Sequence, residues 1–163
     1  MKQIAFTLTI ALAVLFSFGS AHADDTKATT EDVYNLVLKA FEVVQSLGDE
    51  ALPAFNDPKG EFVFKDTYAY VERCPNEMVA HPFAMAKLKG VDLSKSFAFN
   101  NKLCVASDNP MGGWAEYNWP KPGETEPSRK VAYGIKVDGT PYTIFAGIYS
   151  DTAQIEDLNK SLR

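Results

Sequence analysis

The hydrophobic period of this chain changes near residue 60, and that change constrains the fold more than any other feature. Before it, Val33, Leu36, Val37, Ala40, Phe41, Val44 and Leu47 recur every three to four positions, the stripe of one amphipathic helix. Thr29 and Asp32 are spaced as a capping box at its start, and Gly48 is a natural stop. After it, the period is two. Tyr68 and Tyr70 alternate with Ala69 and Val71, and Ala115, Tyr117 and Trp119 with Trp114, Glu116 and Asn118. Val131, Tyr133, Ile135 and Val137 mark one face of a further strand. Asp138-Gly139 then predicts a two-residue hairpin into a last strand, Tyr142 to Tyr149. A short strand is expected at Met78 to His81, a helical turn or loop from Pro82 to Gly90, and another strand within Ser96 to Ala106. Ile155, Leu158 and Leu162 predict a short C-terminal helix. One long helix followed by antiparallel strands makes an α+β domain with helices covering a sheet.

The start of the chain bears on compartment. Lys2, the apolar run Ile4 to Phe18 and the small residues of Ala21-His22-Ala23 have the layout of a secretory signal peptide. The run is shorter than a bilayer span. The expectation is a signal peptide over residues 1–23, cleaved near Ala23-Asp24, and one domain over 24–163, periplasmic or secreted, with no membrane span of its own. Losing Lys2 takes the formal charge from −5 to −6, and no Lys/Arg cluster offers a footprint for nucleic acid. Two cysteines remain, Cys74 and Cys104; in an oxidising compartment an even pair favours a disulfide, the rival being two separate buried thiols.

Histidine is scarce, and that weighs against catalysis. His22 leaves with the signal segment, so any Ser-His or Cys-His chemistry would have to use His81, and no Gly-x-Ser-x-Gly elbow is present. One His and two distant Cys do not make a structural zinc site, no EF-hand spacing occurs, and Gly112-Gly113 lacks the Lys-Ser/Thr of a phosphate loop. The expectation is no enzyme, no cofactor and no metal. What remains is an aromatic and basic set: Tyr117 and Trp119 on one strand face, Lys121 just beyond, Tyr133 on the facing strand and His81 at the end of another. If these faces meet, they enclose an apolar pocket with a few polar tips, and a lysine with an imidazole would select a carboxylate. Each has a plainer reading: Trp119 and Tyr133 as core packing, Lys121 as a solvated surface lysine, and His81 as a donor to backbone.

At these residues the sequence resembles the single Cache family, type 2 branch. The matching stretches are Phe55-Asn56-Asp57, Gly60-Glu61-Phe62-Val63, Tyr68-Ala69-Tyr70-Val71, Ala80-His81-Pro82 and Leu88-Lys89-Gly90-Val91-Asp92-Leu93. Gly112-Gly113-Trp114-Ala115-Glu116-Tyr117, Trp119-Pro120-Lys121-Pro122-Gly123, Lys130-Val131-Ala132-Tyr133 and Ala146-Gly147-Ile148-Tyr149 follow in the same order. The resemblance implies a PAS-like antiparallel sheet of about five strands with the long helix packed on it. It also implies an extracytoplasmic sensor domain that binds a small organic acid at His81, Tyr117, Trp119, Lys121 and Tyr133. Family members commonly run on into a membrane helix and an output domain. This sequence ends at Arg163, so the expectation is a free-standing domain that presents its ligand to a membrane-bound receptor or kinase. The alternative is a ligand-free interaction module of the same fold.

Overall fold

The computed structural model describes residues 25–162; the expected signal segment lies outside them. Helix α1 spans Thr30–Leu47 and begins with the expected capping box: the Asp32 N–H donates to Thr29 Oγ1 at 3.1 Å, and the Thr29 N–H donates to Asp32 Oδ2 at 2.9 Å. Its buried stripe is Val33, Leu36, Val37, Ala40 and Val44, while Leu47 at the end is half exposed. Gly48, at a φ of 55°, ends the helix and opens a 3₁₀ segment, Gly48–Asn56.

Six strands follow: β1 (Val63–Phe64), β2 (Thr67–Arg73), β3 (Glu77–Ala80), β4 (Gly113–Pro120), β5 (Pro127–Lys136) and β6 (Thr143–Tyr149). All pairings are antiparallel, in the order β1-β2-β6-β5-β4, with β3 sharing the outer edge of β2. The sixth strand beyond the expected five is the two-residue β1. The β5–β6 turn is wider than two residues: the ladder closes at Lys136–Thr143, the Thr140 N–H donates to Val137 O, and only Gly139 takes a positive φ. Helix α5 (Ile155–Ser161) closes the chain, as its periodicity predicts. Among the described residues no helix is long and apolar enough to cross a membrane.

The sheet separates two cores. On one face α1 covers Ala69, Val71, Trp114, Val131, Tyr133, Ile144 and Ala146. On the other, Tyr68, Tyr70, Tyr117, Ala132 and Phe145 lie beneath three short helices: α2 (Met85–Leu88), α3 (Leu93–Ser96) and α4 (Ala98–Ser107). Helix α4 corrects the strand expected within Ser96 to Ala106. Its buried residues Asn100, Leu103, Cys104 and Ser107 have helical spacing, but two of the four are polar, so no apolar stripe announced them. The aromatic pair Phe97 and Phe99 gave the segment a strand-like composition that packing overrides.

Helix α4 sits very close to β4, and Gly113 permits it. A Cβ at Gly113 would lie 2.3 Å from Ala106 O, a backbone atom that cannot step aside. Gly113→Ala is expected to lower stability by about 2 kcal/mol, read as a lower urea midpoint. The disulfide expected between Cys74 and Cys104 is formed, tying the turn after β2 to α4.

Candidate functional site

The face of the sheet beneath α2–α4 is built by alternation. Strand β2 sends Tyr68, Tyr70 and Glu72 to this side, β4 sends Tyr117 and Trp119, and β5, through its pairing with Tyr117, sends Lys130. His81 follows β3. From above, Phe99 stacks on Tyr117 with ring centres 4.5 Å apart, and Phe97 meets Trp119 edge-on at 5.6 Å. Asn100, Leu88 and Leu93 complete the roof. The cavity is narrow, about 20 Å³, which is room for one water molecule. Tyr70 and Tyr117 join their hydroxyls across it at 3.1 Å.

His81 is buried here as a neutral donor. Its Nδ1 accepts the N–H groups of Phe83 and Ala84, each at 3.0 Å, so the ring proton resides on Nε2. Burial, and then the positive charge of Lys130, hold its pKa down to about 3. Its ring lies 4.9 Å from that of Tyr68 and 5.4 Å from that of Tyr70.

Lys130 is the most unusual group on this face. Its residue is fully buried, and its Nζ is the one buried side-chain nitrogen or oxygen among the described residues without a hydrogen-bond partner. Aromatic faces surround it: Nζ stands 4.0 Å from the centre of Tyr68, 5.4 Å from Tyr149 and 5.7 Å from Tyr70. Cation–π attraction offsets part of the lost hydration, but burial still brings the pKa down to about 7. Glu72, which lines the cavity and is also buried, accepts a hydrogen bond on Oε2 from Asn100 Nδ2 at 3.1 Å. Burial pushes its carboxyl up to about 7.

Of the five residues expected to form a pocket, His81, Tyr117 and Trp119 come together. Tyr133 does not join them. It pairs in register with Trp114, three residues along each strand from the Tyr117–Lys130 pair and therefore on the reverse pleat, so its ring packs on Tyr34 of α1 at 5.1 Å. Its hydroxyl donates to Met111 O at 2.7 Å. Lys121 also lies elsewhere, exposed beside Tyr149, Phe83 and Glu124 in a wider cleft of about 300 Å³ on the far side of Tyr68. Sequence reasoning missed Lys130 and Glu72. The signal was available: Lys130 is in phase with Ala132 and Gly134, opposite the apolar face of β5, and Glu72 is in phase with Tyr68 and Tyr70. On a strand covered on both sides, such positions are buried however polar the residue.

Comparison with known proteins agrees with this architecture. The methyl-accepting chemotaxis protein McpP of Pseudomonas putida (strain KT2440) is 32% identical over 96 residues, covering 56% of this chain and 18% of that receptor. The chain thus spans less than a fifth of the length of this relative. Among solved structures, a Cache chemosensory domain described for its recognition of carboxylic acids superposes with a TM-score of 0.59 at 24% identity, over 74% of this chain and 92% of that one. A methyl-accepting chemotaxis protein from Vibrio parahaemolyticus gives 0.60 at 18% identity, over 74% and 88%. At these identities the likeness is one of fold. The family model for the Cache domain matches residues 29–154, nearly all of the described chain, and the protein belongs to the Cache domain family.

Proposed function

We propose that this chain is an exported sensory domain that binds a small organic acid at Lys130. The observation that carries the reading is the buried, unpartnered ammonium. A cation removed from water without a hydrogen bond is costly, and the most direct compensation is an anion with lone pairs to accept from it. His81 Nε2–H and the Tyr70 and Tyr117 hydroxyls supply neutral donors nearby, and Trp119 with Phe97 excludes water. In this reading His81 contributes direction rather than charge, and Lys130 takes the role expected of Lys121. The arrangement offers binding and no reacting group, consistent with a domain that senses without catalysis. The apolar segment before Asp24 supports export, and the receptor relative supports a membrane-bound signalling partner.

Titration calorimetry with acetate, propionate, lactate and pyruvate tests this. At least one is expected to bind with micromolar to millimolar affinity and to raise the melting temperature. Lys121→Ala is expected to change that affinity by less than about threefold, because its charge is exposed and screened. The narrowness of the cavity favours a second reading, a ligand-free interaction module whose pocket is filled by its own aromatic rings. Under that reading none of the four acids binds or stabilises.

A further inference from the structure

Glu72 is left unexplained by acid binding at Lys130. It is 1% exposed and belongs to no ion pair among the described residues: the guanidinium of the adjacent Arg73 turns away to Glu77 at 2.8 Å and to the Tyr142 hydroxyl at 3.1 Å. A buried carboxyl without a counter-charge is costly, and an apolar side chain would fill the same space at less cost. What it does face is the disulfide. Cys74 Sγ stands 3.9 Å from Glu72 Oε2, and a Glu72 carboxylate oxygen and the two sulfurs lie within 4.8 Å of one another. Asn100 Nδ2, which donates to Glu72 Oε2 at 3.1 Å, is also 3.9 Å from Cys104 Sγ. The two sulfurs are not equivalent: Cys104 is buried, at 7% exposed, whereas Cys74, in the turn after β2, is half-buried.

We infer that Cys74–Cys104 is a thiol–disulfide exchange site, with Cys74 the attacked sulfur, Cys104 the leaving sulfur and Glu72 the acid that gives Cys104 its proton. The co-reactant is a dithiol, and the chemistry does not depend on an acid bound at Lys130. One thiolate of the dithiol attacks Cys74 Sγ. The bridge breaks with its electron pair on Cys104 Sγ, and a mixed disulfide forms on Cys74. Glu72 passes its carboxyl proton to Cys104 Sγ and regains one from water. The second thiolate of the reagent then displaces Cys74, which is protonated from solvent. The dithiol is oxidised to a disulfide, and the cysteine pair gains two electrons and two protons. In the reverse direction ionised Glu72 takes the Cys104 proton, so that this sulfur can attack a mixed disulfide on Cys74.

Electrostatics make the acid necessary. A thiolate released at buried Cys104 without that proton would be a second unpaired anion against Glu72 in a water-poor site. Burial holds the carboxyl up to about 7, so at neutral pH and below it still carries its proton. It gives that proton readily to a thiolate, whose ordinary pKa is about 8.5 and which burial raises. The groups that face Glu72 leave it as the one that titrates near neutrality. Burial keeps the hydroxyls of Tyr70 and Tyr117 protonated and His81 neutral, Asn100 on α4 is an amide, and the paired neighbours Met78 and Thr143 carry no charge. Reduction would untie α4 from the end of β2, and with it Phe97, Phe99 and Asn100 of the cavity roof.

The test is reduction of the folded, oxidised protein by dithiothreitol between pH 6 and pH 8, trapped with N-ethylmaleimide and read by mass spectrometry, for the wild type and Glu72→Gln. With rates expressed per reagent thiolate, the wild type is expected to slow about tenfold from pH 6 to pH 8 as Glu72 loses its proton. At pH 6 it should exceed Glu72→Gln at least tenfold, and the variant should be flat with pH. Glutathione, a monothiol, should leave its mixed disulfide on Cys74 in peptide maps. A flat wild-type profile, equal rates in the two proteins, or adducts on Cys104 rather than Cys74 overturns the inference, and the bridge is then purely structural. The wild-type profile and the adduct position decide by themselves if the variant does not fold.

Discussion

Lys130→Met is expected to weaken acid binding at least 100-fold while making the ligand-free protein more stable, by about 2 kcal/mol. These opposite signs distinguish a functional charge from a structural one. Methionine has nearly the length and volume of the lysine stem, so packing among Tyr68, Tyr70 and Tyr149 is retained. What disappears is an ammonium without a hydrogen-bond partner, and replacing such a group by an apolar one stabilises. Urea unfolding and calorimetry on the same preparations read both effects. A destabilised variant with unchanged binding would refute the role given to Lys130. The pH dependence adds a signature. Burial holds the folded ammonium near 7, against an ordinary value of 10.5, so between these pH values the unfolded chain binds the extra proton and stability rises with pH. Below about 7 both states are protonated and the penalty is complete. Glu72 acts in the reverse sense at lower pH: with its pKa raised from 4.5 to about 7, the folded state holds the extra proton there, and stability falls as pH rises through that range. His81, lowered from 6.5 to about 3, contributes a rise with pH between those values. Unfolding at pH 7.5, 8.0 and 8.5, below the range in which unfolded tyrosines ionise, therefore isolates Lys130. The wild type should gain stability across this series, and Lys130→Met should be flat.

Removing the Cys74–Cys104 bridge as the double alanine variant is expected to cost about 3–4 kcal/mol, the chain entropy of a loop whose ends are 30 residues apart. For a domain of this size that is a fall in melting temperature of about 10 °C. The effect should reach the cavity as well. Helix α4 carries Asn100, whose Nδ2 donates both to Glu72 and to Pro75 O at 2.8 Å, and the bridge holds that helix against the end of β2. Faster hydrogen exchange in residues 97–107, measured at a temperature where the variant is still folded, is the expected accompaniment. A loss below 1 kcal/mol would mean that packing alone holds the roof.

The architecture was legible where one face of an element is apolar and the other is not. Helix α1, its capping box and the alternation of β2, β4 and β5 could be read because each contrasts two environments. Helix α4 was hidden for the converse reason: Asn100 and Ser107 face inward to polar partners, so burial and polarity coincide. The cavity lining was half visible. Tyr117, Trp119 and His81 were found through composition, whereas Tyr133 was assigned to the wrong side because placing it required the β4–β5 register, which no local pattern supplies. Lys121 stands out in sequence as a lysine in a proline-rich loop and is exposed, whereas Lys130, within a strand, passes for a solvated residue and is buried.

The strand that bears Lys130 is only one backbone thick, and the very next residue, Val131, is fully buried in the core beneath α1. Peptide geometry joins the two rigidly, since their Cα atoms are held about 3.8 Å apart by a planar unit. On the acid-binding reading, an adjustment of β5 that brings the ammonium toward a guest tilts that unit, and with it the seat of the long helix on the reverse side. The domain thus needs no separate linkage between its interior and its outermost helix.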